Sequence, residues 1–241
     1  MTVFAKASNH TLLPLRLAAG RSAASPVTFA QTLGLFMPAK PGPQAGQVAV
    51  LFVSPWGYEE MCVRKFWRVL AEDLADAGVA SLRFDYPGTG DALDITTPGL
   101  GLDAWRQSIV AAAATLRRLS GVQELVLIGQ GLGAALAYEA RTEIGDVDGM
   151  ALLAPVLSGR IYLRKLSVWA RMTEGKSEQQ QNTDEGFSVG GLTIPDAIVA
   201  GIRAINITTP AGPQPGHCLV VARPERPAEA GFADQLTQLF M

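Results

Sequence analysis

The sequence predicts an α/β protein with a mainly parallel sheet and helices on both of its faces. Strand-like and helix-like segments alternate along most of the chain, an order that produces parallel sheets with right-handed crossovers. The first strong strand, 47–53, is apolar throughout and rich in β-branched residues, as expected of a strand covered on both faces. A later strand, 124–128, runs through a glycine-rich turn directly into a helix.

Composition favours one domain, 1–241, and excludes several classes of partner. The chain has 241 residues, 48% hydrophobic and 17% charged, which suits one large domain with a buried core. Its net charge is −2 and its basic residues are scattered, so we expect no nucleic-acid partner. The amino-terminal apolar run is broken by Pro14 and Arg16, and no stretch approaches the ~18 apolar residues of a membrane span. We therefore expect a cytoplasmic protein.

The remaining elements follow from periodicity and from terminating residues. Apolar residues recur at helical spacing over 59–77, and Gly78 follows as a C-cap glycine would. Asp103 is a plausible N-cap for the next helix, which Gly121 ends. The predicted strands are 47–53, 79–84, 124–128, 150–153 and 218–222, and the predicted helices are 59–77, 103–119, 132–144 and 228–240.

Two regions depart from the alternation of strands and helices. Short apolar pieces within 12–37 predict an antiparallel hairpin at the sheet edge. A long insertion at about 156–215 contains a polar stretch, about 173–190, that we expect to be a mobile loop. Its flanks, 161–172 and 194–205, look helical and would form a small cap over the carboxyl edge of the sheet, where open α/β sheets bind ligands.

The glycine-rich turn allows two interpretations. In a nucleophile elbow, G-x-S-x-G, small residues flank a strained serine between a strand and a helix. Gly129 and Gly133 occupy the flanking positions here, Gln130 precedes the centre, and Gly131 stands where serine would be. We favour this interpretation.

The rival interpretation is a dinucleotide fingerprint, G-x-G-x-x-G/A, which Gly129, Gly131 and Ala134 satisfy. That site needs an acidic residue at the end of the next strand. The next strand instead ends in Leu153-Ala154-Pro155, with its two aspartates, at 146 and 148, ahead of it.

The elbow and three further segments resemble the α/β-hydrolase superfamily. These segments are Phe52 to Gly57, Leu82 to Asp91 (LRFDYPGTGD) and Leu153 to Pro155. More narrowly, 55–61 and 155–166 are similar to hydrolases associated with bacterial exosortase systems, a resemblance that implies a bacterial, cytoplasmic protein.

The resemblance implies a serine, an acid, a histidine and an oxyanion hole of backbone N–H groups. The N–H groups of Leu132 and of Trp56 or Gly57 are the oxyanion-hole candidates. Glu225 is the candidate acid, although a solvated loop carboxylate explains it equally well. No histidine follows His217, which precedes the last predicted strand. The catalytic set is therefore expected to be incomplete, with no cofactor to replace it.

Other side chains are poor substitutes for the nucleophile. Ser120 and Ser158 lie outside the turn, and we expect Cys62 to point into the core, as free cysteines usually do. Cys218 has no redox or metal-ligand spacing relative to it, and with only His10 and His217 as imidazoles no metal site is expected.

The fold would ordinarily add a last strand, a histidine loop and a helix after residue 240, and we expect these to be missing. An uncovered sheet edge would then invite a protein partner.

Three functions remain open on this sequence. The first is a degenerate hydrolase-fold protein that binds a small acyl or ester-like ligand or a partner. The second is a carboxylic-ester or thioester hydrolase represented by a truncated or mutated chain, and the third is a nucleotide-binding protein. Trp169, Phe187 and Ile161 of the cap would line a hydrophobic entrance or simply pack.

Overall fold

Ten strands and six helices are formed by the residues that the computed structural model describes, which are 24–41, 45–95, 100–174, 182–183, 186–210, 212 and 214–239. The strands are β1 (Ser25–Phe29), β2 (Thr32–Met37), β3 (Val48–Val53), β4 (Ala80–Phe84), β5 (Glu124–Gln130), β6 (Val147–Leu153), β7 (Asn182–Thr183), β8 (Gly186–Val189), β9 (Leu192–Ile194) and β10 (His217–Val221). The helices are α1 (Tyr58–Asp76), α2 (Leu102–Ser120), α3 (Leu132–Ile144), α4 (Gly159–Glu174), α5 (Asp196–Ala204) and α6 (Pro227–Leu239).

Seven of the strands form one sheet in the order β1-β2-β4-β3-β5-β6-β10. The four pairings from β4 through β10 are parallel, and the two at the other edge, β1 with β2 and β2 with β4, are antiparallel. The predicted mainly parallel sheet is thus confirmed. The predicted hairpin is formed by β1 and β2, and its earlier part, 12–23, lies outside the described residues.

The central strand β3 divides the core into two layers because successive side chains of a strand point to opposite faces. Leu51 and Val53 face the larger layer, which is built mainly against α2 and α3. Phe52 faces the smaller layer and lies 5.1 Å, centroid to centroid, from Trp67 of α1. Both layers exclude water from β3, which explains why its sequence is apolar at every position rather than at alternate ones.

Between β6 and β10 the chain forms a cap from α4, an antiparallel sheet of β7, β8 and β9, and α5. The helices match the predicted flanks, but the small sheet was not predicted. Within the stretch expected to be a mobile loop, 182–183 pair with 186–187 as strands, while 175–181 and 184–185 lie outside the described residues. Burial of Phe187 and Val189 stabilises β8, and a Gly190-Gly191 turn connects it to β9.

Backbone contacts fix the two ends of the cap and bring it close to α2. Its two ends bond to each other, because Gly159 N–H donates to Ile205 O at 3.0 Å and Ile207 N–H donates to Leu157 O at 2.9 Å. At the amino terminus of α2, a Cβ on Gly101 would come within 2.8 Å of Ala197 O in α5. Glycine therefore permits an approach of cap backbone to body backbone that other residues would prevent.

None of the helices in the described part of the chain is both long enough and apolar enough to cross a membrane. The strand β10 lies at one edge of the main sheet, with β6 as its hydrogen-bonded neighbour among the described strands.

Candidate functional site

The turn between β5 and α3 holds Gly131 in a conformation that favours glycine. Its φ and ψ are 56° and −120°, outside the regions that L-residues normally occupy. Both backbone groups are fixed from outside the turn, because its N–H donates to Leu153 O at 2.9 Å and its carbonyl accepts from Val156 N–H at 3.0 Å. The strained corner is therefore imposed by the end of β6, whichever residue occupies it.

The flanking glycines let α3 lie directly against the sheet. A Cβ on Gly133 would overlap the carbonyl oxygens of Val53 and Ser54 at the end of β3. A Cβ on Gly129 would come within 2.6 Å of the Ala134 Cα. The strand–turn–helix expected of an elbow is thus present, and its spacing follows from these two close approaches.

A carboxyl group lies where the side chain of residue 131 would begin. The Oε2 atom of Glu59, in the first turn of α1, is 2.5 Å from an ideal Cβ built on Gly131. Glu59 as a residue is exposed, yet burial of its carboxyl end raises its pKa, and the charges of Arg223 and Lys165 oppose that rise without cancelling it. No sequence signal predicted this contact, since Glu59 and Gly131 belong to different strand–helix units.

The carboxyl edge of the sheet brings further polar groups near Glu59. Glu59, the elbow, Tyr162 and Arg223 follow the carboxyl ends of four neighbouring parallel strands, β3, β5, β6 and β10. The Tyr162 side chain is 7% exposed, and its hydroxyl has no hydrogen-bond partner among the described residues. Burial, and then the charge of Glu59, raise its pKa. Burial lowers the pKa of Lys165, one helical turn further along α4.

The carboxylate that the structure buries after β10 is Glu229 rather than Glu225. Glu229 is 4% exposed and accepts three hydrogen bonds from Arg223, from the backbone N–H at 2.8 Å, from Nε at 2.9 Å and from Nη2 at 2.5 Å. Arg223 also donates to Ala154 O at 3.4 Å. Glu225, the predicted acid, is exposed in the turn before α6. Its role in a catalytic set stays a prediction.

The oxyanion-hole candidates lie at the same edge. Leu132 is the first residue of α3, so its N–H has no partner within the helix, and none is found elsewhere in the described chain. Gly57 precedes α1 with φ 72°, and its carbonyl accepts from Met61 N–H at 3.2 Å. The N–H of Gly57 has no hydrogen-bond partner within the described ranges. Trp56 is buried beside it.

The alternative nucleophiles lie elsewhere. Ser120 donates to Leu116 O at 2.7 Å at the far end of α2, and Ser158 forms a backbone bridge with Asn206. The prediction that Cys62 points into the core is wrong, because the buried face of α1 runs through Trp67, Ala71 and Ala75. Cys62 lies five residues before Trp67, about 140° around the helix from that face. Cys218, by contrast, is buried.

The structure also bears on the dinucleotide alternative. The strand β6 ends at Leu153, and no acidic residue follows in Ala154-Pro155. Asp148 lies near the start of β6, where it accepts from Leu125 N–H at 2.6 Å. Asp148 is therefore at the opposite end of the strand from the place where a ribose would need an acidic residue. His217, at the start of β10, lies at the same amino-terminal edge of the sheet.

No protein-family model matches the chain, and no curated protein matches it. Among solved structures, Est1E from Butyrivibrio proteoclasticus with ferulic acid bound is similar, at 19% identity and a TM-score of 0.54 over 87% of this chain and 96% of that one. A proline iminopeptidase-related protein from Thermus thermophilus is 18% identical at a TM-score of 0.58, over 91% and 86%. A hypothetical protein from Pseudomonas aeruginosa is 14% identical at a TM-score of 0.56, over 94% and 100%.

At such low identities these similarities establish the fold and leave the activity open. Together with the parallel strand order and the turn at Gly131, they show that the chain has an α/β-hydrolase-like fold.

Proposed function

We propose that this protein binds a small acyl or ester-like ligand at the elbow and does not hydrolyse it through a serine triad. One observation carries the proposal. At the turn where a serine hydrolase exposes its nucleophile, this chain has Gly131, and the carboxyl of Glu59 occupies the space into which a side chain would project.

The unbonded backbone N–H groups support a ligand with a carbonyl or oxyanion. Those of Leu132 and Gly57 lie at a helix amino terminus and just before another, where the helix dipoles favour a partial negative charge. A buried N–H without a partner carries a free-energy cost that a bound oxygen would remove.

Apolar side chains at the rim favour an apolar substituent on that ligand. The rings of Tyr58 and Trp169 meet edge to face at 4.7 Å, and both remain partly exposed. Ile161 is 56% exposed on the same helix as Trp169, whereas Phe187 is 5% exposed and packs inside the cap. Of the three cap residues considered for an entrance, two are therefore available to a ligand.

Two measurements test this proposal. A fluorophosphonate probe should leave the protein unlabelled, and covalent labelling at any serine would contradict the proposal. Titration with butyl methylphosphonate, a tetrahedral oxyanion mimic, should shift the NMR amide signals of Leu132 and Gly57. The amide of Val122, near the amino end of β5, is the internal control and should not shift. Shifts confined to the amino ends of the strands would contradict the proposal.

The second candidate is a carboxylic-ester or thioester hydrolase whose sequence here carries a substitution at 131. The retained strained conformation of Gly131 favours it, because that corner is the one that presents a nucleophile. Resequencing of the encoding DNA would support this candidate if codon 131 specifies serine and remove it if the codon specifies glycine.

Two finer proposals concern context. On the resemblance of 55–61 and 155–166 we propose a cytoplasmic bacterial protein associated with an exosortase system, and genes for such a system beside the coding sequence are the expected finding. We also propose that β10 offers its outer edge to a protein partner. A partner recovered by pull-down with the wild-type protein should not be recovered with the β10 variant Leu219→Pro.

A further inference from the structure

We infer that Glu59 is a general base that directs a water molecule onto a carbonyl carbon held at the elbow, so that the site hydrolyses esters or thioesters without a covalent intermediate. The inference rests on the proposed ligand site, and it assigns to Glu59 a catalytic role that serine holds in enzymes of this fold.

Geometry provides the first argument. The Glu59 Oε2 is 2.5 Å from the ideal Cβ of residue 131, which places the carboxylate on the side from which a serine oxygen would attack. A carbonyl whose oxygen accepts from Leu132 and Gly57 would turn its carbon toward this carboxylate. One water molecule between them would lie within hydrogen-bond reach of the base, which is the arrangement that general-base catalysis requires.

The surroundings provide the second argument. Glu59 has no hydrogen bond or ion pair within the described part of the chain, so its lone pairs are available to a water molecule. The Tyr162 hydroxyl, on a side chain 7% exposed and without a partner in the same described part, is an unsatisfied buried polar group whose cost a bound ligand or water would remove. The charge of Glu59 adds to burial in raising the pKa of Tyr162, so the hydroxyl lies within electrostatic range of the carboxyl.

The protonation equilibrium suits this role. Burial raises the pKa of Glu59 toward the range in which a carboxylate is a more effective base, while Arg223 and Lys165 keep the ionised form accessible. The charged and titratable groups that interact electrostatically with Glu59 include Arg223, which follows β10, and Tyr162 and Lys165, both on α4.

The reaction balances with water as the only co-reactant. Glu59 takes a proton from water as the water oxygen bonds to the carbonyl carbon, and the electron pair of the C=O bond moves to the oxygen held by Leu132 and Gly57. The intermediate then collapses, the bond to the leaving oxygen or sulfur breaks, and the leaving group takes the proton from Glu59. An acid and an alcohol or thiol are released, and Glu59 is again a carboxylate.

The test compares Glu59→Gln with Glu60→Gln in the full chain. Glu60 is the adjacent residue of the same helix, but its carboxylate is 2.5 Å from Arg64 Nε rather than at the elbow. With p-nitrophenyl butyrate as substrate, Glu59→Gln should lower kcat about 100-fold or more, with KM little changed, and Glu60→Gln should leave kcat within about twofold. Turnover should survive fluorophosphonate treatment and rise with pH to a plateau.

The outcomes separate this inference from the proposed function. If butyl methylphosphonate shifts the Leu132 amide but turnover is absent or equal in both variants, the base role is overturned and ligand binding stands. If turnover is lost after fluorophosphonate treatment, both fail, because a serine is then the nucleophile. A fall in kcat in Glu59→Gln alone, with the phosphonate still bound, supports the inference.

Discussion

At the scale of single residues, Gly131 and Glu59 share one small volume. The backbone at 131 is bent by bonds to Leu153 and Val156 rather than by its own side chain, and glycine accepts that bend without a Cβ. The carboxyl of Glu59 then enters the space that glycine leaves. The absence of a side chain at 131 therefore makes room for the Glu59 carboxyl, and a larger residue at 131 would displace it.

Gly131→Ser should destabilise the protein without producing a serine hydrolase. The positive φ costs a non-glycine residue about 1–3 kcal/mol, and the new Cβ must in addition displace Glu59. Urea denaturation should show a larger loss for Gly131→Ser than for Gly145→Ser, which has φ 60° but no atom within 4 Å of its Cβ position. Adding Glu59→Ala should recover the difference. Fluorophosphonate labelling of Gly131→Ser at position 131 would contradict the expectation.

The stability contributed at position 59 should depend on pH. Because folding raises the pKa of Glu59, its ionisation favours the unfolded state, so stability is complete below its unfolded pKa and declines as pH rises through the folded one. Glu59→Gln should therefore be more stable than wild type at pH 7 and equal to it below about pH 4. Denaturation at the two pH values measures this, and Glu60→Gln should show no such gain.

Glu229 should matter to the fold far more than Glu225. Its buried carboxylate pairs with Arg223, and Glu229→Gln would leave that guanidinium without its counter-charge, at a cost of about 2–4 kcal/mol because Arg223 is one-third exposed. Glu225→Gln, at an exposed turn position, should change stability by less than about 0.5 kcal/mol. Equal losses of stability for the two variants in thermal denaturation would contradict a structural role for Glu229 beyond that of Glu225.

At the scale of elements, the sequence was most informative where burial is one-sided or complete. The helices and parallel strands were predicted because apolar spacing reports directly on the face that meets the core, as in β3 and α2. The elbow was predicted because Gly129 and Gly133 occupy the two flanking positions of the G-x-S-x-G pattern between a strand and a helix. Glu59 could not be predicted in this way, since its contact with Gly131 depends on how α1 and α3 are placed across the sheet edge.

The small sheet of the cap shows the opposite case. Strands β8 and β9 are only four and three residues long, so their alternation was too short to distinguish from a loop. Only tertiary burial identifies Phe187 as a core residue. Cys62 was misplaced for a related reason, because a cysteine's tendency to be buried says nothing about which helix face it occupies.

Phe187→Ala should test whether this sheet is part of the packed structure. The side chain is 5% exposed, and its removal should cost about 3–5 kcal/mol in urea denaturation. Met172→Ala, at an 80% exposed position of α4, is the control and should cost less than about 0.5 kcal/mol. Amide exchange in β8 and β9 should accelerate in the first variant alone, and unchanged exchange would show that Phe187 contributes little to the sheet.

At the scale of the whole molecule, the carboxyl ends of β3, β5, β6 and β10 converge on one edge, and every group assigned to the site comes from that edge. The amino ends carry ordinary packing and turns, including His217 and Ser120. The distribution is the one expected of open parallel sheets, in which ligands bind beyond the carboxyl ends.

The contact between Gly101 and the carbonyl of Ala197 restricts how this molecule can be recombined. The backbone of α5 lies against the first turn of α2 at a spacing that depends on Gly101 in the main body, and the two ends of the cap bond to each other. A cap taken from another protein of this fold would have to bring its own backbone to the same distance from Gly101. The ligand preference of the proposed site should therefore be altered by substitutions within the cap of this protein, because these leave the α5 backbone at its distance from Gly101.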